Sequence, residues 1–194
     1  DFSAGSTGLS EASAKKQGIT NIETVITAGP DKPDFMGAKI LINKMIADKS
    51  TGKVLGFQCI GLGDSSKQIA MAAMAIMGGL TVNDLVNADL PYAPPFSLAI
   101  DNIVACAHAM QNKLRGLMMG LSAVEVRYKL AKGEKPFIID ARSPEEWEES
   151  RLGIGEHLIP VGAIHGRLGE LPKDKSTEII TYCKISLQIG RAHV

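Results

Sequence analysis

Nine consecutive residues without a polar side chain, Ile69-Ala70-Met71-Ala72-Ala73-Met74-Ala75-Ile76-Met77, lie between Ser65-Ser66 and Gly78-Gly79. A serine before the run and glycines after it are the start and stop signals of a helix. A helix that is apolar all round is expected to be buried, and its alanines allow close approach to a sheet or another helix. Methionines at three-residue spacing here read as core packing and not as a cofactor box. The run is too short to span a bilayer, and no signal peptide is legible, so no membrane role is expected.

The surface for that helix comes just upstream. Lys39–Ala47 and Lys53–Gly61 are β-rich runs separated by Asp48-Lys49-Ser50-Thr51-Gly52, a polar turn with glycine where positive φ is needed. Leu55, Phe57 and Cys59 share one face by the two-residue period, which makes Cys59 a core residue. Asn21–Ala28 is a third strand, and Ser10 caps a short helix, Glu11–Gln17, closed by Gly18. The stretch 1–9 opens without methionine and without a complete element. Thr81-Val82-Asn83-Asp84 resembles a capping box with Asp in place of Glu. After the rigid segment Tyr92-Ala93-Pro94-Pro95-Phe96-Ser97, the residues Ile100, Ile103, Val104, Ala107, Met110 and Leu114 form one stripe of a final helix. Cys106 and His108 lie among alanines and read as structural.

Composition divides the chain near Gly120. Residues 1–120 carry 20 charged side chains, 121–194 carry 22, and all eight methionines fall before position 120. Two domains with a hinge at 116–121 account for that shift. Lys+Arg and Asp+Glu are both 21, so there is no basic footprint for nucleic acid or anionic lipid. The three cysteines, Cys59, Cys106 and Cys183, are far apart with no CxxC spacing. That argues against a disulfide framework or a metal site and for a reducing cytoplasm.

In the second part, 122–132 reads as a short amphipathic helix and 136–140 as a buried strand ending at Asp140. Ser143-Pro144-Glu145-Glu146 fits a helix start, with Ser as N-cap, Pro at N1 and Glu at N3; Trp147 packs inward. A loop over 153–162 leads to a brief strand, 163–165, and 168–172 is a turn or short helix. Glu178–Gln188 then supplies a buried strand that delivers Cys183 to its C-terminal end, where open α/β sheets bind ligands. A thiolate there can be cradled by loop N–H groups, whereas the plain alternative is a small buried hydrophobe. Alternating short strands and helices indicate a parallel α/β sheet.

Two resemblances follow. Ser6-Thr7-Gly8-Leu9-Ser10-Glu11, then Asp48…Thr51-Gly52-Lys53-Val54-Leu55-Gly56, then Tyr92-Ala93-Pro94-Pro95-Phe96-Ser97 occur in that order. Together they resemble the C-terminal dimerisation domain of FAD-dependent pyridine nucleotide-disulfide oxidoreductases, in the coenzyme A-disulfide reductase, polysulfide reductase and NADH oxidase branch. The resemblance implies an α+β dimerisation domain over 1–116, a homodimer, and small sulfur compounds or coenzyme A persulfide or disulfide as substrates. It implies FAD and NAD(P)H as cofactors of the intact protein. It also places Tyr92 near the partner subunit's flavin or thiol site; rigid-turn packing is the alternative. Asp34-Phe35-Met36-Gly37 stands where relatives often carry paired tyrosines. No strand–GxGxxG–helix unit occurs, so this chain alone is expected to bind neither cofactor strongly.

Asp140-Ala141-Arg142-Ser143-Pro144-Glu145-Glu146-Trp147, then Ile159-Pro160-Val161-Gly162-Ala163-Ile164-His165, then Tyr182-Cys183 resemble a rhodanese domain, an α/β module over 121–188. The resemblance implies that Cys183 is a persulfide-forming nucleophile, that Asp140 and Arg142 brace the fold, and that His165 is a framework position. The Cys-x5-Arg loop of phosphatases is absent, because Ile189 stands six residues beyond Cys183. The second domain looks incomplete at its C-terminus and the first at its N-terminus. Ile189-Gly190-Arg191-Ala192-His193-Val194 resemble a translated sequencing adapter and form a candidate non-native tail. The expected function is a part of a flavin-dependent disulfide, coenzyme A-persulfide or polysulfide reductase, with the rhodanese module handling sulfane sulfur. The alternatives are a stand-alone sulfurtransferase and a non-catalytic dimerisation module with an inert cysteine.

Overall fold

The computed structural model describes residues 2–183. The loop expected beyond Cys183, the 188 boundary and the 189–194 tail lie outside the described residues. The chain separates into two compact units, Asp1–Met119 and Gly120–Val194.

The first unit is an antiparallel sheet with helices on one face, an α+β arrangement. In chain order it runs β1 (Ser3–Gly8), α1 (Glu11–Lys16), β2 (Ile22–Pro30), β3 (Ile40–Asp48), β4 (Val54–Gly61), α2 (Ser66–Met77), α3 (Val82–Val86) and α4 (Asn102–Leu114). The strand order is β1-β4-β3-β2, and every pairing is antiparallel. The β3–β4 turn forms as its residues suggest. Asp48 Oδ1 accepts hydrogen bonds from the Ser50 and Thr51 N–H groups, and Gly52 takes φ of 70°. Helix α2 packs on β1 and β4, and α4 packs on β2 and β3. Leu41, Met45, Phe57, Ile103, Ala107 and Met110 fill the space between them.

Three expectations are corrected in this unit. The stretch 3–8 is a strand despite its weak β-formers, because it pairs with β4 from Ser3↔Gly61 to Gly8↔Gly56. That pairing needs glycine at 56, where a Cβ would stand 1.9 Å from the Leu9 carbonyl oxygen. Helix α2 is not buried all round. Gln68, Ala72 and Ala75 face the interior, whereas Met74 and Met77 are 62% and 75% exposed, since the sheet covers only one side of the cylinder. Ile100 precedes α4 and is exposed, so the helical stripe begins at Ile103.

The second unit contains α5 (Ala123–Ala131), β5 (Phe137–Asp140), α6 (Pro144–Glu149), β6 (His157–Leu158) and β7 (Ile179–Tyr182). Its sheet has the order β6-β5-β7 and is parallel. Ser122 and Ser143 both close capping boxes, with Pro144 at the start of α6 as its sequence suggests. Central β5 buries Ile138, Ile139 and Asp140, joined by Ile159 from the loop after β6.

Here too the structure departs from expectation. The strand expected over 163–165 is instead part of a 3-10 segment, Val161–Glu170, and the paired strand lies earlier, at His157–Leu158. Phe137 stacks on the His157 ring with centroids 4.3 Å apart, a side-chain pairing that supports the short β6. Strand β7 is half-buried, not buried, with Ile179 exposed. Trp147 is likewise only half-buried, with the Arg151 guanidinium over its ring.

Candidate functional site

In the second unit, the site forms where parallel β5 and β7 end side by side. Asp140 and Tyr182 are register partners, and the last ladder bond runs from the Ala141 N–H to the Tyr182 carbonyl at 2.9 Å. Cys183 is the next residue, beyond the strand, free and half-buried. The sequence thus places a thiol at the carboxyl edge of a parallel sheet, the edge at which open α/β sheets bind ligands.

Asp140 is fully buried and anchors this edge. The Arg142 guanidinium grips it through Nε at 2.9 and 3.0 Å and a terminal nitrogen at 2.6 Å, and the Arg142 backbone N–H adds a bond at 3.0 Å. Arg142 also donates to the Ser150 carbonyl at 2.7 Å, tying the pair to the end of α6. Burial pushes the Asp140 carboxyl upward, but the Arg142 and Tyr182 hydrogen bonds outweigh it and hold the group below its ordinary value. The Tyr182 hydroxyl donates to Asp140 Oδ2 at 2.8 Å; burial, then that bond, pushes the phenol upward. Such a buried, two-point ion pair braces structure; it has no proton to exchange near neutral pH. Sequence reasoning singled out Asp140 and Arg142 and missed the Tyr182 hydroxyl, because a tyrosine in a strand is read first as a β-former.

His165 is exposed in the 3-10 segment. Cys59, within β4, and Cys106, within α4, are buried in the first unit. Burial pushes their thiols up to about 11 and about 12, so they stay protonated and inert.

Tyr92, in the first unit, is 54% exposed. The segment carrying it is held from below. Ser97 Oγ donates to the Pro91 carbonyl, the Phe96 N–H bonds the Ala93 carbonyl, and Lys67 Nζ donates to the Phe96 carbonyl at 3.1 Å. Lys67 is paired in turn with Asp101 at 2.7 Å, whose other oxygen accepts from buried Gln68 at 2.6 Å. Gln68 and Asp101 carried no motif, and only Gln68's place beside an apolar run could have flagged it.

Neither unit offers a pyrophosphate cradle among the described residues. The first sheet is antiparallel, and the β5–α6 turn, Ala141-Arg142-Ser143, contains no glycine to let a dinucleotide approach the backbone. The residues present therefore do not fit FAD or NAD(P)H. Among the described residues no cluster of three or more His, Cys, Asp or Glu could hold a metal ion, and no helix is long and apolar enough to cross a membrane.

Residues 1–104 match the pyridine nucleotide-disulphide oxidoreductase dimerisation domain. The chain belongs to this family. The oxidoreductase dimerisation domain here is 32% identical over 112 residues to the NAD(P)H coenzyme A polysulfide/persulfide reductase of Pyrococcus horikoshii, covering 57% of this chain and 25% of that protein. The chain thus spans about a quarter of the length of the curated relatives it matches. Two solved structures extend through nearly the whole chain. A NAD-dependent persulfide reductase from A. fulgidus is 35% identical with a TM-score of 0.85, covering 99% of this chain and 34% of its own. The reduced Bacillus anthracis CoADR-RHD is 28% identical with a TM-score of 0.87, covering 98% and 33%.

Proposed function

We propose that this chain is the dimerisation and sulfur-handling part of a flavin-dependent NAD(P)H reductase of disulfides, coenzyme A persulfide or polysulfide. One observation carries the reading: the likeness to a persulfide reductase covers 99% of the chain, so it includes the second unit as well as the family domain. The first unit joins two copies, and FAD and NAD(P)H are bound by other parts of such a protein. Tyr92, exposed on a segment pinned through Lys67, faces the partner's reaction centre in this reading.

The second unit is a rhodanese-like module, 121–188, with Cys183 as its nucleophile. Its thiolate attacks the outer sulfur of a persulfide or polysulfide. One S–S bond forms at Cys183 as another breaks, and the donor leaves as a thiolate or shortened polysulfide. A second thiolate then attacks the outer sulfur of the Cys183 persulfide, restoring the Cys183 thiolate. No net oxidation is required in either step. Asp140 and Arg142 hold the strand edge and take no part in bond-making.

Mass spectrometry of the chain after polysulfide treatment tests the module. The expected result is an adduct of about 32 Da on the Cys183 peptide, reversed by thiols and absent in Cys183→Ser. An unmodified Cys183 under conditions that persulfidate a free small-molecule thiol would instead leave a dimerisation module with an inert cysteine.

A further inference from the structure

We propose that Tyr182 is a positioning residue for Cys183: its phenol, latched to the Asp140–Arg142 pair, fixes the strand end from which the thiol is presented. The proposal rests on the reading of Cys183 as a sulfur acceptor and adds a residue that acts through it.

Among the described strands, β7 is bonded on one side only, to β5. Its last main-chain tie among the described residues is the bond from the Ala141 N–H to the Tyr182 carbonyl. The end of a four-residue strand is its loosest point, and Cys183 is attached to that end, its Cα about 3.8 Å from that of Tyr182. The phenol supplies a second hold at the same residue. It donates at 2.8 Å to a carboxylate that is fully buried and itself gripped at two points by Arg142. Among the described residues the other acceptor near it, Glu156 Oε1, is 3.5 Å away and already accepts the Gly153 N–H at 2.8 Å. The Arg142 guanidinium also lies over the Tyr182 ring, 5.6 Å from its centroid.

The chain from Cys183 back through Tyr182, Asp140 and Arg142 to the Ser150 carbonyl is therefore continuous. Phenylalanine would fill the ring's space equally well, so the hydroxyl is there for the bond it makes. In-line attack of one sulfur on another is intolerant of misplacement, and a nucleophile on a loosened strand end loses rate before it loses affinity.

The test compares the wild-type chain with Tyr182→Phe. Circular dichroism establishes folding, and peptide mapping follows both alkylation and persulfidation of Cys183 over a range of polysulfide concentrations. The latch predicts a folded variant whose half-saturating concentration is unchanged and whose maximal persulfidation rate falls roughly tenfold or more. A folded variant with wild-type values for both overturns it. If wild type alkylates at Cys183 but never gains sulfur, the sulfur-acceptor reading has failed by itself. The latch is then decided by the alkylation rate, which must drop in Tyr182→Phe. Should that variant not fold, Arg142→Lys keeps the charge but releases the two-point hold, and an unchanged maximal rate there overturns the latch.

Discussion

The two units differ in what holds their sheets. In the first, four antiparallel strands bury Leu41, Met45, Phe57 and Cys59 beneath two helices of twelve and thirteen residues. In the second, a three-stranded parallel sheet buries Ile138, Ile139 and Ile159 among the described residues, and beside them a carboxylate. Burial of apolar area drives the first, at about 25 cal/mol per Å². The second also rests on the Asp140–Arg142–Tyr182 cluster, whose hydrogen bonds converge on one buried carboxylate. A hydrophobic core tolerates a lost methyl group by degrees, whereas a buried charge tolerates the loss of its partner poorly.

The largest expected effect strikes the hydrophobic side. Phe57→Ala removes a fully buried ring and should cost about 3–5 kcal/mol, read as a shift in the denaturation midpoint by far-UV circular dichroism. A shift below 1 kcal/mol would mean that the core between α2, α4 and the sheet is not the main support. On the polar side, Arg142→Ala should cost about 3 kcal/mol at neutral pH, because it strands the buried Asp140 carboxylate. Trp147, the chain's single tryptophan, reports on that unit by fluorescence.

The pH dependence follows from the Asp140 carboxyl. Its folded value lies below the ordinary 3.8, so its contribution is fully present above that value and is lost as pH falls through the lower, folded one. Wild type should therefore lose stability on the acid side of pH ~4, in the Trp147 signal. In Arg142→Ala the guanidinium no longer opposes burial, and only the residue-142 N–H and the Tyr182 hydroxyl still do, so that acid-side loss should shrink. An identical acid limb in both proteins breaks the comparison.

What the sequence revealed depended on whether a signal was local. The β3–β4 hairpin, its Gly52 turn and the capping boxes at Thr81 and Ser143 were all legible, because each is made by residues within a few positions of one another. Strand β1 was not, since Ser-Ala-Gly-Ser-Thr-Gly is poor in β-formers and becomes a strand only by pairing with residues more than forty positions away. The exposed side of α2 was misread because a run of apolar residues shows that burial is available, not how many sides a fold will cover. In the site, Asp140, Arg142 and Cys183 were carried by a motif. Tyr182's hydroxyl became visible only when parallel register set it opposite Asp140. Lys67, Gln68 and Asp101 beneath the Tyr92 segment were invisible for the same reason.

The smallest effect sharpens the comparison most, because the two units use the same local device in different surroundings. Helices α3 and α6 both begin in a complete capping box, Thr81 with Asp84 and Ser143 with Glu146. Losing either cap hydroxyl costs about 1 kcal/mol. Helix α3 also buries Val82 and Leu85, whereas α6 buries no residue. Thr81→Ala should therefore leave α3 docked, with only a modest rise in exchange at the Leu85 amide, which bonds the Thr81 carbonyl. Ser143→Ala should fray α6 outright, exposing the Trp147 amide, which bonds the Ser143 carbonyl, to rapid hydrogen exchange. Equal loss of protection at the two amides would show that tertiary burial adds nothing to α3, and that the contrast between an apolar and a polar unit does not reach their helices.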